Sequence, residues 1–63
     1  MEINSKKLYF AMASANETQT GLAKHANVSS RTITTLLKGG KCRADVLGRI
    51  SKALNVEPQE LVD

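Results

Sequence analysis

The chain of 63 residues is poor in the side chains that build most catalytic and metal sites. It has one cysteine, Cys42, and one histidine, His25. Neither a zinc site nor a cysteine–histidine pair with a third orienting group is therefore supported. The sequence also lacks a P-loop and a dinucleotide fingerprint. We expect no enzyme activity, no metal and no cofactor, and we expect His25 to lie on the surface of a helix.

Aromatic residues and long apolar runs are also scarce. Tyr9 and Phe10 are the only aromatic residues, so a core must come from Leu, Ile, Val, Ala and Met. A single cysteine excludes an intramolecular disulfide, no apolar run reaches the length of a transmembrane helix, and the N-terminus has no signal-peptide pattern. The sequence predicts one domain, residues 1–63, in a reducing cytoplasm and away from membranes.

Acidic residues are absent from one continuous stretch. Between Glu17 and Asp45 the chain has no Asp or Glu. The cations in this stretch are Lys24, Arg31, Lys38, Lys41 and Arg43. The net charge of +3 is thus concentrated in the middle of the chain. A basic cluster alone is usually a solvated surface. When the cluster coincides with a binding motif, it indicates binding of a polyanion such as nucleic acid.

The same stretch has the pattern of two short helices joined by a tight turn. Thr18 and Ser29 stand where helix N-caps are needed, and Asn27 is a residue that tolerates the positive φ of a sharp helix end. Val28 is expected to fill the inside of the corner. The apolar positions at helical spacing are Leu22, Ala23 and Ala26 in the first helix and Ile33, Leu36 and Leu37 in the second.

Three further helices complete the prediction. The first runs from residue 3 to about residue 15 and is capped by Asn4 or Ser5; the fourth runs from about Ala44 to Leu54. A short fifth helix starts at Pro58. The residues expected to end helices in the left-handed conformation are Asn16, Asn27 and Asn55. The apolar faces comprise Leu8, Ala11, Met12 and Ala15, then Val46, Leu47, Ile50, Ala53 and Leu54, and finally Leu61.

In this register the chain resembles the Cro/repressor-type helix-turn-helix proteins of lambdoid phages and their bacterial relatives, the lambda-repressor-like or XRE family. The resemblance covers nearly the whole chain. It implies an all-α, compact five-helix domain with the helix-turn-helix at helices 2 and 3. It also implies a sequence-specific transcriptional regulator, a repressor of the phage type, that binds double-stranded DNA. The positions that carry the resemblance, without a gap, are Gln19, Leu22, Ala23, Asn27, Val28, Ile33, Leu36 and Gly39.

The resemblance also assigns roles to residues, because in this family the second helix of the motif reads bases in the major groove. Arg31 is the main candidate, since its planar fork can bond O6 and N7 of guanine. The implied base contacts are Ser30, Arg31, Thr34 and Thr35. A helix N-terminus favours a phosphate, and a loop with two glycines and three cations suits a nearby DNA backbone. The expected backbone contacts are Thr18, Gln19, Ser29, Lys38, Gly39, Lys41 and Arg43.

Several residues depart from the family pattern. Gly21 lies inside a helix where relatives usually have Glu, at a cost of about 1 kcal/mol against Ala. Glu17 stands where an apolar residue often packs ahead of that helix. Met12 and Leu37 occupy the positions of an ion pair in some repressors, and an apolar pair can replace such a pair without loss of stability. Lys38 replaces a frequent Asn and keeps a phosphate donor.

Relatives bind near-palindromic operators as two-fold dimers. The corresponding contact region, Asn55 to Leu61, contains Glu57 and Glu60 and little apolar area, so we expect a monomer in free solution that pairs as a homodimer on DNA. An alternative of a different class is a protein-interaction module, such as an antitoxin with the same fold. Such a module should expose an apolar patch, whereas a DNA reader should bind with a steep salt dependence.

Overall fold

Four α-helices and a terminal 3₁₀ turn form the fold over residues 2–63, the part of the chain that the computed structural model describes. The elements are α1 (Ser5–Ser14), α2 (Gln19–Ala26), α3 (Ser30–Leu37), α4 (Ala44–Leu54) and the 3₁₀ turn (Pro58–Leu61). The all-α prediction is therefore confirmed, and α4 has the predicted bounds. The prediction of five helices is not confirmed, because the last element is a single 3₁₀ turn.

The 3₁₀ turn begins with a capping box. The backbone N–H of Glu57 donates to Glu60 Oε2 at 2.8 Å, and the Glu57 side chain accepts from the backbone N–H of Glu60. Pro58 occupies the first position as predicted, and Val62 returns to extended backbone. The backbone bonding of this turn is of the i to i+3 kind, as in the bond from the Glu60 N–H to the Glu57 carbonyl at 2.9 Å.

The first helix begins two residues later than predicted. Asn4 is its N-cap, with φ −80° and ψ 114°, and its side chain accepts from the Lys7 N–H at 3.0 Å. An N-cap needs extended backbone, so residues 3 and 4 cannot be helical. Ile3 instead enters the core at 2% exposure. The Asn4 N–H donates to the Leu61 carbonyl at 2.8 Å, which ties the start of the chain to its last turn.

Three asparagines end helices in the left-handed conformation, as predicted. Their φ angles are 55° at Asn16, 57° at Asn27 and 58° at Asn55. The prediction that Ala15 belongs to the buried face of the first helix is wrong. Because α1 ends at Ser14 and the chain then turns, Ala15 lies at the helix end and is exposed.

The core is built from apolar residues of every helix. α2 packs against both α3 and α4, while α1 packs against α3 and the 3₁₀ turn. The buried residues are Ile3, Leu8, Met12, Leu22, Ala23, Ala26, Ile33, Leu36, Leu47, Ile50, Leu54 and Leu61. All of these except Ile3 were predicted. The partly buried residues at its edge include Ala11, Val28, Leu37, Val46 and Ala53. This core holds α2 and α3 in fixed relative positions.

Candidate nucleic-acid interface

The turn between α2 and α3 consists of three residues, 27–29, and hydrogen bonds to both helices hold it. Asn27 is left-handed, with ψ 45°, and the next N–H, that of Val28, donates to the Ala23 carbonyl at 3.0 Å. Ser29 is extended, and its Oγ accepts from the Thr32 N–H at 3.1 Å, which starts α3. Asn27 as the left-handed end of α2 and Ser29 as the N-cap of α3 are therefore confirmed. This turn directs α3 away from α2 with one face on the core and the other in solvent.

The outward face of α3 is polar and carries no acid. Ile33 and Leu36 are buried on the inner side. Arg31 lies in the first turn of α3 and is exposed. Within residues 2–63, no hydrogen bond or ion pair occupies its guanidinium, so all its donors are available to an external acceptor. The other residues on or next to this face are Ser30, Thr35 and Lys38, which are exposed, and Thr34, which is half-buried.

A hydrogen bond that the sequence did not predict joins the two helices of the motif. Thr34 Oγ1 lies 3.0 Å from Gln19 Oε1 and 3.0 Å from the Ser30 carbonyl oxygen, so its hydroxyl donates across to α2 or back along α3. The amide oxygen of Gln19 is engaged by this contact, and its NH₂ group remains a donor. Gln19 is thereby oriented by the same helix that carries the predicted base contacts.

The start of α2 is capped as predicted but has an acid beside it. Thr18 Oγ1 accepts from the Gly21 N–H at 3.0 Å. The side chain of Glu17 is only 16% exposed and contacts His25 Nδ1. An added Cβ on Gly21 would lie 2.9 Å from Glu17 Oε1 and 3.1 Å from Thr18 Oγ1. Glycine at this position therefore leaves room for the Glu17 carboxylate beside α2. His25 is exposed, as predicted.

The loop after α3 needs both of its glycines, for different reasons. Gly39 has φ 90°, a conformation that side chains rarely adopt. Gly40 lies against α3: its N–H donates to the Thr35 carbonyl at 3.2 Å, and an added Cβ would lie 2.9 Å from Thr35 Cγ2 and 3.1 Å from that carbonyl oxygen. The loop is thus held tightly to the end of α3.

Lys41, in this loop, lies beside α3. Its backbone forms an antiparallel bridge with Glu2, so the N-terminal segment lies against the loop. An open groove beside α3 is lined by Ser29, Arg31, Thr32, Thr35, Leu36 and Lys41. Two predicted base contacts and two predicted backbone contacts therefore share one basic groove. All the predicted contact residues are exposed except Thr34, which is half-buried.

Residues 7–63 match the profile of the Cro/C1-type HTH DNA-binding domain. The chain belongs to this family. The resemblance inferred from the register of α2 and α3 is thereby confirmed for almost the full length of the chain. Membership of this family supports DNA binding by this Cro/C1-type domain, whereas the roles of the individual contact residues stay predictions.

The same fold occurs in a solved structure of HEPD from Streptomyces albus, described with its substrate 2-hydroxyethylphosphonate and Fe(II) bound. The TM-score is 0.85 over 92% of the present chain, at 24% sequence identity. The chain spans only 13% of the length of that protein. At this identity the likeness concerns the fold alone. The comparison with curated proteins found no match.

One predicted backbone contact of the Cro/C1-type domain already has a partner. Arg43 precedes α4, and its Nε lies 3.3 Å from Asp45 Oδ1. Both side chains are largely exposed, so the pair contributes little to stability and a phosphate can compete with Asp45 for the guanidinium. To bind a phosphate, the Arg43 guanidinium therefore exchanges one partner for another.

The described part of this domain has neither a metal-binding cluster nor an activated thiol. Among residues 2–63 no cluster of His, Cys, Asp and Glu is placed to hold a metal ion. Burial raises the pKa of the half-buried Cys42 thiol, which keeps it protonated and weakly nucleophilic near neutral pH. No helix in this range is both long and apolar enough to cross a membrane. That the chain is not an enzyme stays a prediction.

Two aromatic side chains form a surface feature that sequence reasoning missed. Tyr9 is 64% exposed and Phe10 is 65% exposed, and their rings meet edge to face with centroids 6.4 Å apart. The signal was present in the sequence: Leu8 and Met12 define the buried stripe of α1, and the next two positions after Leu8 lie off it. Both aromatic residues of the chain are therefore on the surface of the Cro/C1-type domain.

Proposed function

We propose that this chain is a sequence-specific, double-stranded DNA-binding transcriptional regulator, a repressor of the phage type. The observation that carries the proposal is the outward face of α3, which is free of acids and presents Arg31 without an intramolecular partner in residues 2–63. A major groove admits one α-helix, and the N-terminal residues of a recognition helix contact base edges. Arg31 lies in that part of α3.

In this mechanism α3 lies in the major groove and the flanking segments hold the backbone. Ser30, Arg31, Thr34 and Thr35 read base edges. Thr34 can read a base in two ways. Its hydroxyl exchanges Gln19 for a base edge, or its methyl group packs against the methyl group of thymine. The residues that hold phosphates are Thr18, Gln19, Ser29, Lys38, Gly39, Lys41 and Arg43. Backbone contacts fix the position of α3, while base contacts set its preference.

Operators are expected to be near-palindromic, since one domain covers a half-site and two-fold dimers read half-sites about one helical turn apart. Selection from random duplexes followed by sequencing tests this directly. The expected product is a pair of inverted half-sites with guanine at one position of each. Recovery of no sequence preference, from a protein shown to be folded, would contradict the proposal.

The exposed Tyr9 and Phe10 favour the alternative function, a module that holds a protein partner. The two functions differ in their response to salt. Binding of duplex DNA weakens steeply as salt rises, because cations of the protein displace counterions from phosphates. Binding of a protein through an apolar patch changes little over the same range. A folded protein that ignores duplex DNA at low salt would favour the alternative.

A further inference from the structure

Glu17 is an acid beside the start of α2, where the proposed function needs phosphate contacts. Its Oε1 would lie 2.9 Å from a Cβ added to Gly21, and Thr18 Oγ1 would lie 3.1 Å from the same point. The carboxylate is therefore close to Thr18, a proposed backbone contact, and to the first turn of α2. A negative charge at this place repels a phosphate.

The first turn of α2 attracts an anion through its backbone. The Gly21 N–H already donates to Thr18 Oγ1. Within residues 2–63, no acceptor binds the N–H groups of Gln19 and Thr20, as is usual for the first residues of a helix. These N–H groups are the positive end of the helix dipole. Glu17 and a phosphate are therefore two anions at the same end of one helix.

His25 is the group that can offset the charge of Glu17. Its Nδ1 contacts Glu17 Oε2, and within residues 2–63 the Glu17 side chain has no other hydrogen bond or ion pair. The Glu17 side chain is only 16% exposed, so water screens the pair less than at an open surface. Histidine ordinarily changes charge between about pH 5 and 8. The pair is neutral overall when the imidazole is protonated and carries one negative charge when it is not.

The other charged groups near His25 are cations. Arg49 and Lys52 of α4 line a hollow together with His25, and Lys24 precedes it in α2. Lysine and arginine side chains keep their charge over the range in which histidine titrates. Among these groups, the imidazole is therefore the one whose charge changes near neutral pH.

We propose that the Glu17–His25 pair is a pH-sensitive element that sets the affinity of this domain for DNA. At lower pH the protonated imidazole offsets the carboxylate, and phosphate binds at the start of α2. As the pH rises and His25 loses its proton, the uncompensated carboxylate repels the same phosphate. Gly21 makes the arrangement possible, because a Cβ there would collide with the carboxylate. This inference rests on the proposed function and adds regulation to it.

Titration of a short duplex that holds one domain, at about pH 6 and about pH 8 in low salt, tests the proposal. One charge about 7 Å from a phosphate, screened by water, changes binding about threefold. The affinity of the wild type should therefore fall about threefold from the lower pH to the higher one. Raising the salt should reduce this difference, because the Debye length shortens.

Three variants assign the change to the pair. His25→Gln should bind at both pH values as the wild type does at the higher one. His25→Lys keeps a cation within reach of Glu17 and should bind at both as the wild type does at the lower one. Glu17→Gln should bind at the higher pH as tightly as the wild type at the lower. The matched control is Glu60→Gln, which removes an exposed acid but keeps an acceptor for the capping box, and it should bind like the wild type.

Three outcomes would overturn the inference. The first is a wild-type affinity that is equal at the two pH values, and the second is a fall that persists in His25→Gln. The third is Glu60→Gln binding as tightly as Glu17→Gln at the higher pH, since the effect would then be one of net charge. Circular dichroism at both pH values must show each protein folded. A wild type that binds no duplex at either pH contradicts the proposed function itself, which separates the two failures.

The ring protons of His25 give a second measurement on the wild type alone, because the chain has one histidine. If protonation favours DNA binding, then DNA binding favours protonation to the same degree. Nuclear magnetic resonance should therefore find the imidazole protonated up to higher pH in the complex than in the free protein. Titration curves of His25 that coincide with and without duplex would also overturn the inference.

Discussion

Arg31 and Lys38 are two cations of the same motif in different surroundings. Arg31 lies in the first turn of α3 and has five donors in a rigid fork, which suits the two acceptors of guanine. Lys38 follows the last residue of α3, next to Gly39, and presents a flexible point charge. Their positions separate sequence readout from backbone contact.

Arg31→Ala should cost about 1 to 3 kcal/mol on the preferred site and much less on random duplex, relaxing base choice at one position of each half-site. Lys38→Ala should weaken binding to both duplexes about equally and lower the salt slope by about one unit per domain. Titrations of both variants against both duplexes measure this. The assigned docking of α3 would be wrong if Arg31→Ala acted on all sequences alike while Lys38→Ala changed base preference.

Gly40 and Gly48 make a matched pair for stability. A Cβ added to Gly40 meets the Thr35 side chain and carbonyl oxygen at 2.9 and 3.1 Å, whereas one added to Gly48, inside α4, meets nothing within 4 Å. We expect Gly40→Ala to lower the free energy of unfolding by about 1 to 3 kcal/mol. Gly48→Ala should raise it by up to about 1 kcal/mol through helix propensity. Urea unfolding followed by circular dichroism reports both, and equal effects would refute the assigned packing of the loop on α3.

Among the helices, α4 differs in how it begins. Side chains of Asn4, Thr18 and Ser29 cap α1, α2 and α3, each by accepting a backbone N–H. Arg43 stands at the N-cap of α4 and makes no such bond. Arginine is a poor N-cap, and DNA binding would explain its presence at position 43, since functional residues often lower stability.

Arg43→Ser should therefore change stability and binding in opposite directions. The new hydroxyl can cap α4, which raises the free energy of unfolding by about 0.5 to 1 kcal/mol even after the exposed contact with Asp45 is lost. Affinity for every duplex should fall together with the salt slope. As a control, Ser29→Ala should lower stability by about 0.5 to 2 kcal/mol. Loss of stability in Arg43→Ser would show that its side chain supports α4.

At the scale of the whole molecule, charge is distributed unevenly. The two acids that bound the acid-free stretch both contact a side chain of the chain itself, Glu17 that of His25 and Asp45 that of Arg43. If about five phosphates are neutralised per domain, log K against log salt should fall with a slope of about −4 to −5 per domain. Titration of duplex at several salt concentrations measures this slope. A flat response would contradict electrostatic binding.

Assembly is the second property of the whole molecule. Glu57 and Glu60 bind each other's backbone in the capping box of the 3₁₀ turn, and both are exposed. A second copy that packs on this region therefore brings like charges together. We expect a monomer in free solution and two copies on a two-half-site duplex. Sedimentation with and without DNA tests this, and a tight dimer of the protein alone would contradict it.

Much of the fold was predictable because its signals are local. N-caps at Thr18 and Ser29 depend on a side chain and an N–H three residues away, and the helix ends at Asn16, Asn27 and Asn55 depend on one backbone angle. The core residues followed from helical spacing for the same reason. Two local predictions failed at the ends of α1. Ile3 was predicted within the helix and Ala15 on its buried face, but the helix starts after its N-cap, Asn4, and ends at Ser14.

The sequence alone therefore determined the helices, their caps and the family, since each depends on neighbours within about one helical turn or on a register of such neighbours. Only the tertiary structure decided what lies between helices. The Gln19–Thr34 hydrogen bond spans 15 residues, and the bridge of Glu2 to Lys41 links still more distant segments. Such contacts depend on how packed helices are oriented, which no local pattern specifies.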